Sequence, residues 1–319
     1  MKILVTIPVQ ERHRKRFQNI APEAEFIYRA AGETDRELVQ DMDIIIGNVN
    51  PALIAGTQNL KWLQLNSAGT DGYLAEGILP PGASLTNATG AYGLAISEHM
   101  LGMVLVLKKK LDRYMKNQLD GVWKDEGNVT SVWGSTTLII GLGDIGSQFA
   151  IRMKALGSRI IGIRRTRAQR PEFVDELYQP DHLDACLPQA DIVAMCLPGT
   201  RETQQIMNRQ RLGKMKREAI LVNVGRGTAV DTQALTDALR EGSIGGAALD
   251  VTDPEPLPPD HPLWKAPNLI LTPHVSGQYH LAETHERILE IAACNLEAFL
   301  KGQPLKNVVD PATGYRALP

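Results

Sequence analysis

At 319 residues the chain has room for two domains with separate cores, and an apolar fraction of 43% is ordinary for a globular protein. A net charge of −2, with the 22% of charged residues mixed in sign, argues against a general polyanion binder, so nucleic acid is not an expected partner. The most apolar segment, Met100 to Leu107, is far too short to span a bilayer, and Cys186, Cys196 and Cys294 have no metal-ligand spacing and suit a reducing cytoplasm.

The amino terminus, Met1-Lys2-Ile3-Leu4-Val5-Thr6-Ile7-Pro8, has a short apolar run followed at once by Glu11, Arg12, Arg14, Lys15 and Arg16, which reads as a first strand and not a signal peptide. Up to residue 97, strand candidates at Ile3–Pro8, Glu25–Tyr28, Asp43–Ile46, Leu63–Leu65 and Ser84–Thr86 alternate with helical stretches. That alternation implies a parallel sheet covered by helices. Ligands of such sheets bind beyond the carboxyl ends of strands, which singles out the loops Asn66-Ser67-Ala68-Gly69-Thr70-Asp71-Gly72 and Asn87-Ala88-Thr89-Gly90-Ala91-Tyr92-Gly93. Successive backbone N–H groups in the first loop suit a small carboxylate. A long helix follows, from Ile96 onward and nearly all apolar through Leu107; it must be buried between domains or against another subunit. It marks the first domain crossing and a dimer contact.

Next, Leu138-Ile139-Ile140 leads into Gly141-Leu142-Gly143-Asp144-Ile145-Gly146 and then a helical pattern with Phe149 and Ala150 on one side. Strand, glycine turn and helix in this order read as a dinucleotide site. Gly141 permits the reversal, Gly143 lets a pyrophosphate approach the backbone, and Gly146 lets helix and strand pack closely. The phosphates then sit on the free N–H groups that open the helix. Further strands at Arg159–Ile163, Ile192–Cys196, Ile220–Val224, Gly246–Leu249 and Leu269–Leu271 make residues 136–275 a doubly wound unit. A closing helix, Ala282 to Leu300, carries the chain back toward the first domain.

A fold that prefers NAD(H) places an acidic residue about 20 residues beyond the turn, to hold the ribose hydroxyls. Between Asp144 and Glu172 there is none; the interval holds Arg152, Lys154, Arg159, Arg164, Arg165, Arg167 and Arg170. Arg164 and Arg165, followed by Thr166, stand at the strand end, where guanidinium groups can chelate a 2′-phosphate. NADP(H) is the expected cofactor, with NAD(H) as the alternative.

Three later motifs carry chemistry. Leu221-Val222-Asn223-Val224-Gly225-Arg226-Gly227 puts an arginine past a strand end, Ala248-Leu249-Asp250-Val251-Thr252-Asp253-Pro254-Glu255-Pro256 a carboxylate in a proline-lined loop, and Leu271-Thr272-Pro273-His274-Val275-Ser276-Gly277 a histidine after another strand. With the Ser67–Gly72 loop, the glycine turn and Leu197-Pro198, these motifs resemble, in order and over nearly the whole chain, the D-2-hydroxy acid dehydrogenase family. The arginines after the second strand are most similar to its NADP-preferring glyoxylate and hydroxypyruvate reductases.

The resemblance implies an α/β protein of two doubly wound parallel-sheet domains, a Rossmann-type cofactor domain (99–282) inserted in a flavodoxin-like substrate domain (1–98 plus 283–319). It implies a homodimer formed in part by the helix near Met100, and a small 2-oxo or 2-hydroxy acid as substrate. His274 would be the acid/base, Glu255 its partner, and Arg226 the residue binding substrate carboxylate and carbonyl, together with Asn66, Ser67, Ala68 and Gly69. Cofactor contacts would fall on Gly141, Gly143, Asp144, Ile145, Gly146, Arg164, Arg165, Thr166, Cys196, Leu197, Pro198, Thr203, Val224, Gly225, Arg226, His274, Ser276 and Gly277, with Asp250 near the nicotinamide carboxamide. The chemistry fits those types: hydride arriving at C2 turns a carbonyl oxygen into an alkoxide, a histidine supplies the proton, and a carboxylate orients the ring. One departure is Asp144, where many relatives carry a basic residue; a carboxylate near a pyrophosphate is unfavourable unless it points away or caps the helix. A dinucleotide-sensing regulatory protein is the rival from a different class.

Overall fold

The computed structural model describes residues 1–167, 169–311 and 314. Its contacts divide the chain into two units, Met1–Tyr92 with the chain from Gln278 onward, and Gly93–Gly277. The first unit is built from β1 (Lys2–Val5), α1 (Glu11–Ile20), β2 (Glu25–Tyr28), α2 (Arg36–Gln40), β3 (Ile44–Ile46), α3 (Pro51–Ile54), β4 (Trp62–Gln64) and β5 (Ser84–Thr86). All five strands pair parallel in the order β2-β1-β3-β4-β5, the flavodoxin-type arrangement. The central strand Ile44-Ile45-Ile46 is apolar at every position because both faces of a parallel sheet are covered. Leu4, Ile45, Leu63 and Leu85 form part of one buried layer.

The second unit opens with α4 (Gly93–Lys108) and α5 (Leu111–Leu119). It continues through β6 (Thr136–Ile140), α6 (Asp144–Ala155), β7 (Arg159–Ile163), β8 (Glu176–Tyr178), α7 (Leu183–Cys186) and β9 (Ile192–Met195). It ends with α8 (Arg209–Leu212), β10 (Ile220–Asn223), α9 (Thr232–Glu241), β11 (Gly246–Leu249) and β12 (Leu269–Leu271). The strand order is β12-β11-β10-β9-β6-β7-β8, all parallel. The chain winds outward from β6 to β8 and then returns across β6 to place β9 on its other side. The order therefore reverses between β6 and β9, and ligands of such sheets bind at that reversal. The glycine turn leaves β6 at this point. Afterwards α10 (Ala282–Leu300) rejoins the first unit and packs on α1, where Arg16 forms a two-pronged ion pair with Glu290. No helix among the described residues is long and apolar enough to cross a membrane.

Two features differ from the sequence reading. The expected crossing at residue 98 falls inside α4, but α4 stays whole with the second unit, because Ile96, Met100, Met103 and Val104 are buried and the helix packs on α6 and on β10–β12. Leu101, Leu105 and Val106 are half-buried and Gly102 is exposed, so the apolar girth is only partly absorbed by the unit itself. Strand β8 had no sequence signal: Glu176-Leu177-Tyr178 is short, half-buried and at the sheet edge, where no apolar run is required.

Candidate active site

The three glycines of the turn occupy different environments. Gly141 has φ +100°, and a Cβ there would lie 2.6 Å from Cys196 O; a Cβ on Gly146 would lie 2.2 Å from Gly141 O. Both positions therefore exclude any larger residue. Gly143 has no atom within 4 Å of its would-be Cβ, so the backbone there stays open to an approaching group. The turn hands directly over to α6, with Gly143 as N-cap and no side chain capping the helix, which suits phosphate binding at that end. Leu142 and Gly146 are buried and Ile145 is half-buried. Asp144 caps nothing in α6; its carboxylate reaches back to accept from Gly93 N at 2.9 Å.

Six of the seven basic residues after the turn fall into two groups. Arg152 pairs with Glu98, Lys154 with Asp175 and Arg159 with Glu176. Arg170 donates to the Val174 carbonyl. Arg164 and Arg165 stand immediately beyond β7, at its carboxyl end, with Arg164 half-buried, Arg165 exposed and Thr166 half-buried. Their place is the one where the sequence reading expects the ribose end of a dinucleotide.

The loop after β9 runs Cys196-Leu197-Pro198. Cys196 is half-buried, and burial pushes its thiol pKa up to about 12, so it stays a neutral packing residue. Thr203 is buried and its hydroxyl donates to Pro198 O at 2.7 Å while accepting from Thr200 N at 2.9 Å. That hydroxyl staples the loop from within. After β10, Gly225 packs so tightly that a Cβ would lie 2.3 Å from Leu197 O, while Val224 is buried beside it. Arg226 follows, half-buried, with Nη1 donating to Gly225 O at 2.8 Å and its stem against Gly199.

Asp250 and His274 show why the two motifs belong together. Asp250 is 1% exposed, and its Oδ1 accepts from Thr272 Oγ1 at 2.6 Å and from Val275 N at 3.0 Å. Its Oδ2 accepts from both the backbone and the hydroxyl of Ser276. A buried carboxylate needs this many donors, and satisfying it wraps residues 272–276 around the end of β11. His274, at φ +53°, is the residue this wrapping presents, with its own N–H donating to Asp250 O at 2.8 Å. The Asp250 carboxylate is thus turned into the histidine loop and acts on its shape. His274 Nδ1 lies 2.6 Å from Glu255 Oε1. A carboxylate can only accept, so Nδ1 carries the proton in this pair.

The residues expected to hold the substrate carboxylate lie in the first unit, after β4. Asn66 and Asn48 clasp each other: Asn48 N donates to Asn66 Oδ1 at 2.6 Å and Asn66 N to Asn48 Oδ1 at 3.0 Å. Asn48 Nδ2 also reaches Ser67 Oγ, which in turn donates to Gly69 O at 2.7 Å. Asn87 Nδ2 donates to Ala68 O at 2.8 Å, and the Tyr92 hydroxyl donates to Asn66 O. These contacts consume the loop's carbonyls and the Asn66 side-chain oxygen, while no protein acceptor takes the Ala68 or Gly69 N–H among the described residues. Asn48 escaped the sequence reading; its only signal was its place just past the strand Ile44–Ile46.

The model of the D-isomer specific 2-hydroxyacid dehydrogenase NAD-binding domain matches residues 101–276, more than half of the chain. The chain belongs to the D-isomer specific 2-hydroxyacid dehydrogenase family. It is accordingly an oxidoreductase of the D-2-hydroxy acid dehydrogenase type, acting on a CH–OH group. A glyoxylate reductase of Thermofilum pendens is 34% identical over 274 residues, covering 83% of this chain and 80% of that protein. A solved D-isomer specific 2-hydroxyacid dehydrogenase family protein from Aeromonas salmonicida is 32% identical, with a TM-score of 0.85 over 97% of this chain and 99% of that one. The NADPH-dependent glyoxylate/hydroxypyruvate reductase of Sinorhizobium meliloti, solved with NADP and sulfate, is 26% identical with a TM-score of 0.82, covering 98% and 99%. The dehydrogenase family fold thus accounts for both parallel sheets and for the place of the glycine turn.

Proposed function

We propose that this dehydrogenase works as an NADPH-dependent reductase of a small 2-oxo acid of the glyoxylate or hydroxypyruvate type. The observation that carries the reading is the His274–Glu255 pair, held on a loop that a buried Asp250 shapes, in the same sheet as the glycine turn. The bound cofactor supplies the hydride. His274 holds the proton that neutralises the oxygen as it becomes an alkoxide, and Glu255, by accepting from Nδ1, leaves Nε2 as the nitrogen that delivers it. The Arg226 guanidinium stabilises negative charge growing on that oxygen. In the first unit, the Ala68 and Gly69 N–H groups, unclaimed among the described residues, suit the substrate carboxylate.

For the cofactor, the exposed side of the turn at Gly143 and the open N-terminus of α6 fit a pyrophosphate, and Arg164 and Arg165 favour a 2′-phosphate over free ribose hydroxyls. The Sinorhizobium meliloti relative solved with NADP supports this preference. The chain further acts as a homodimer in the cytoplasm. Leu119, Trp123 and Trp133 are 86%, 104% and 79% exposed and Met115 is 52% exposed, all in the stretch of chain between α4 and β6. Apolar exposure on this scale marks a protein interface, and a second copy of the chain is the commonest occupant.

Oxidation of NADPH by glyoxylate or hydroxypyruvate tests the reading. His274→Ala should lower turnover by orders of magnitude with cofactor binding nearly intact, and Arg226→Ala should raise substrate KM steeply and slow turnover. Unimpaired reduction by the His274 variant would show that the acid lies elsewhere.

A further inference from the structure

Asp144 stands where a carboxylate is least expected, within the turn proposed to receive a pyrophosphate. Its side chain is committed in another direction: Oδ2 accepts from Gly93 N at 2.9 Å. Gly93 is the first residue of α4 and the first of the second unit. A Cβ at Gly93 would lie 2.5 Å from Asp144 Oδ1 and 2.7 Å from Gln148 Cγ, so the close approach needs glycine. The carboxylate therefore sits at the positive ends of two helices, α4 and α6, whose dipoles offset its charge.

The residue just before is anchored the opposite way. Tyr92, 6% exposed, donates its hydroxyl to Asn66 O, in the loop of the first unit whose N–H groups suit a carboxylate. Burial raises the Tyr92 pKa, so the hydroxyl remains a donor throughout the neutral range. Two successive residues at the crossing thus hold one end of each ligand loop: Tyr92 the Asn66–Gly69 segment, Gly93 the glycine turn.

We infer that Asp144 is a positioning residue that couples dinucleotide binding at the glycine turn to the carboxylate loop, through Gly93 and Tyr92. Phosphates arriving at the α6 N-terminus repel the Asp144 carboxylate toward the Gly93 N–H, which strengthens that bond and fixes the start of α4. The constraint passes across one peptide unit to Tyr92, and from its hydroxyl to Asn66. Linkage requires the effect to be reciprocal: a carboxylate on the loop must tighten dinucleotide binding by the same factor. The inference rests on the proposed dinucleotide site.

The test is calorimetric titration of NADP+ into the full chain with and without saturating oxalate, and of oxalate with and without NADP+, for wild type, Asp144→Ala, Asp144→Asn and Tyr92→Phe. Wild type should bind each ligand about 5-fold or more tightly in the presence of the other. Asp144→Ala and Tyr92→Phe should bring that factor down to about 1, each from its own side of the crossing. Asp144→Asn keeps an oxygen that accepts from Gly93 N and should retain most of the coupling. A merely structural role would change stability or the separate affinities and leave the factor alone. Wild-type coupling in Asp144→Ala, or no coupling in wild type that binds NADP+, would overturn this inference and spare the functional reading. Absence of NADP+ binding in wild type would overturn both.

Discussion

The role of Glu255 can be separated into charge and orientation by one substitution, Glu255→Gln. Its Oε1 lies 2.6 Å from His274 Nδ1, and the two side chains are 41% and 46% exposed. At that exposure water screens the pair, and its contribution to folding is no more than about 1 kcal/mol. In the proposed mechanism its weight in catalysis is larger, because a positioned general acid contributes about 10²–10⁴-fold. At about 1.36 kcal/mol per decade, a 10²-fold effect is about 2.7 kcal/mol of transition-state stabilisation. Glutamine keeps an acceptor for Nδ1–H but carries no charge. The expected result is a kcat lowered by about 10²-fold or more, with thermal stability and NADPH affinity little changed. Glu255→Ala, which also frees the ring to turn, should lose more. The assay is NADPH consumption across a pH series, with a thermal melt of each variant alongside. A Glu255→Gln enzyme with near wild-type kcat would refute the assignment of this carboxylate to the histidine's chemistry.

Three further outcomes follow from other parts of the molecule. Neutral residues at Arg164 and Arg165 should raise KM for NADPH far more than for NADH; equal losses would show that the arginines are only a charged edge. Arg16 holds Glu290 at about pKa 2, its charge-assisted hydrogen bond outweighing the opposing effect of partial burial. A carboxyl depressed on folding stabilises above its ordinary range and loses that contribution as pH falls through about 2, so wild type should exceed Glu290→Gln in stability at neutral pH by less than ~1 kcal/mol and converge with it near pH 2 in acid-denaturation curves. Leu119→Glu combined with Trp123→Ala should shift sedimentation toward a monomer; an unchanged dimer would move the interface away from this segment.

Much of the fold was legible because parallel strands buried on both faces leave short apolar runs between helical stretches. Glu25–Tyr28, Ser84–Thr86, Arg159–Ile163, Gly246–Leu249, Leu269–Leu271 and Ala282–Leu300 were found with their observed limits. β8 was not, since an edge strand of Glu176-Leu177-Tyr178 needs no apolar run. The glycine turn was legible for a different reason: each glycine is required by a neighbouring atom or by an opening that it leaves. Contacts between residues far apart in the chain left no local pattern. The Asn48–Asn66 clasp, the hold of Asp250 on the His274 loop and the link from Asp144 to Gly93 span 18, 26 and 51 residues respectively, so neither spacing nor periodicity reveals them. Asp144 shows the difference most clearly. Next to a pyrophosphate site its charge reads as a liability, and only the position of Gly93 explains where the carboxylate goes.

Initial rates of the wild-type enzyme with NADPH and NADH, each against glyoxylate, hydroxypyruvate, pyruvate, 2-oxobutyrate and phenylpyruvate, separate an NADPH-dependent 2-oxo acid reductase from a dinucleotide sensor and from an NADH enzyme. The highest kcat/KM is expected for NADPH with glyoxylate or hydroxypyruvate. Tight cofactor binding without oxidation by any of the five acids, or a strong preference for NADH, would contradict it.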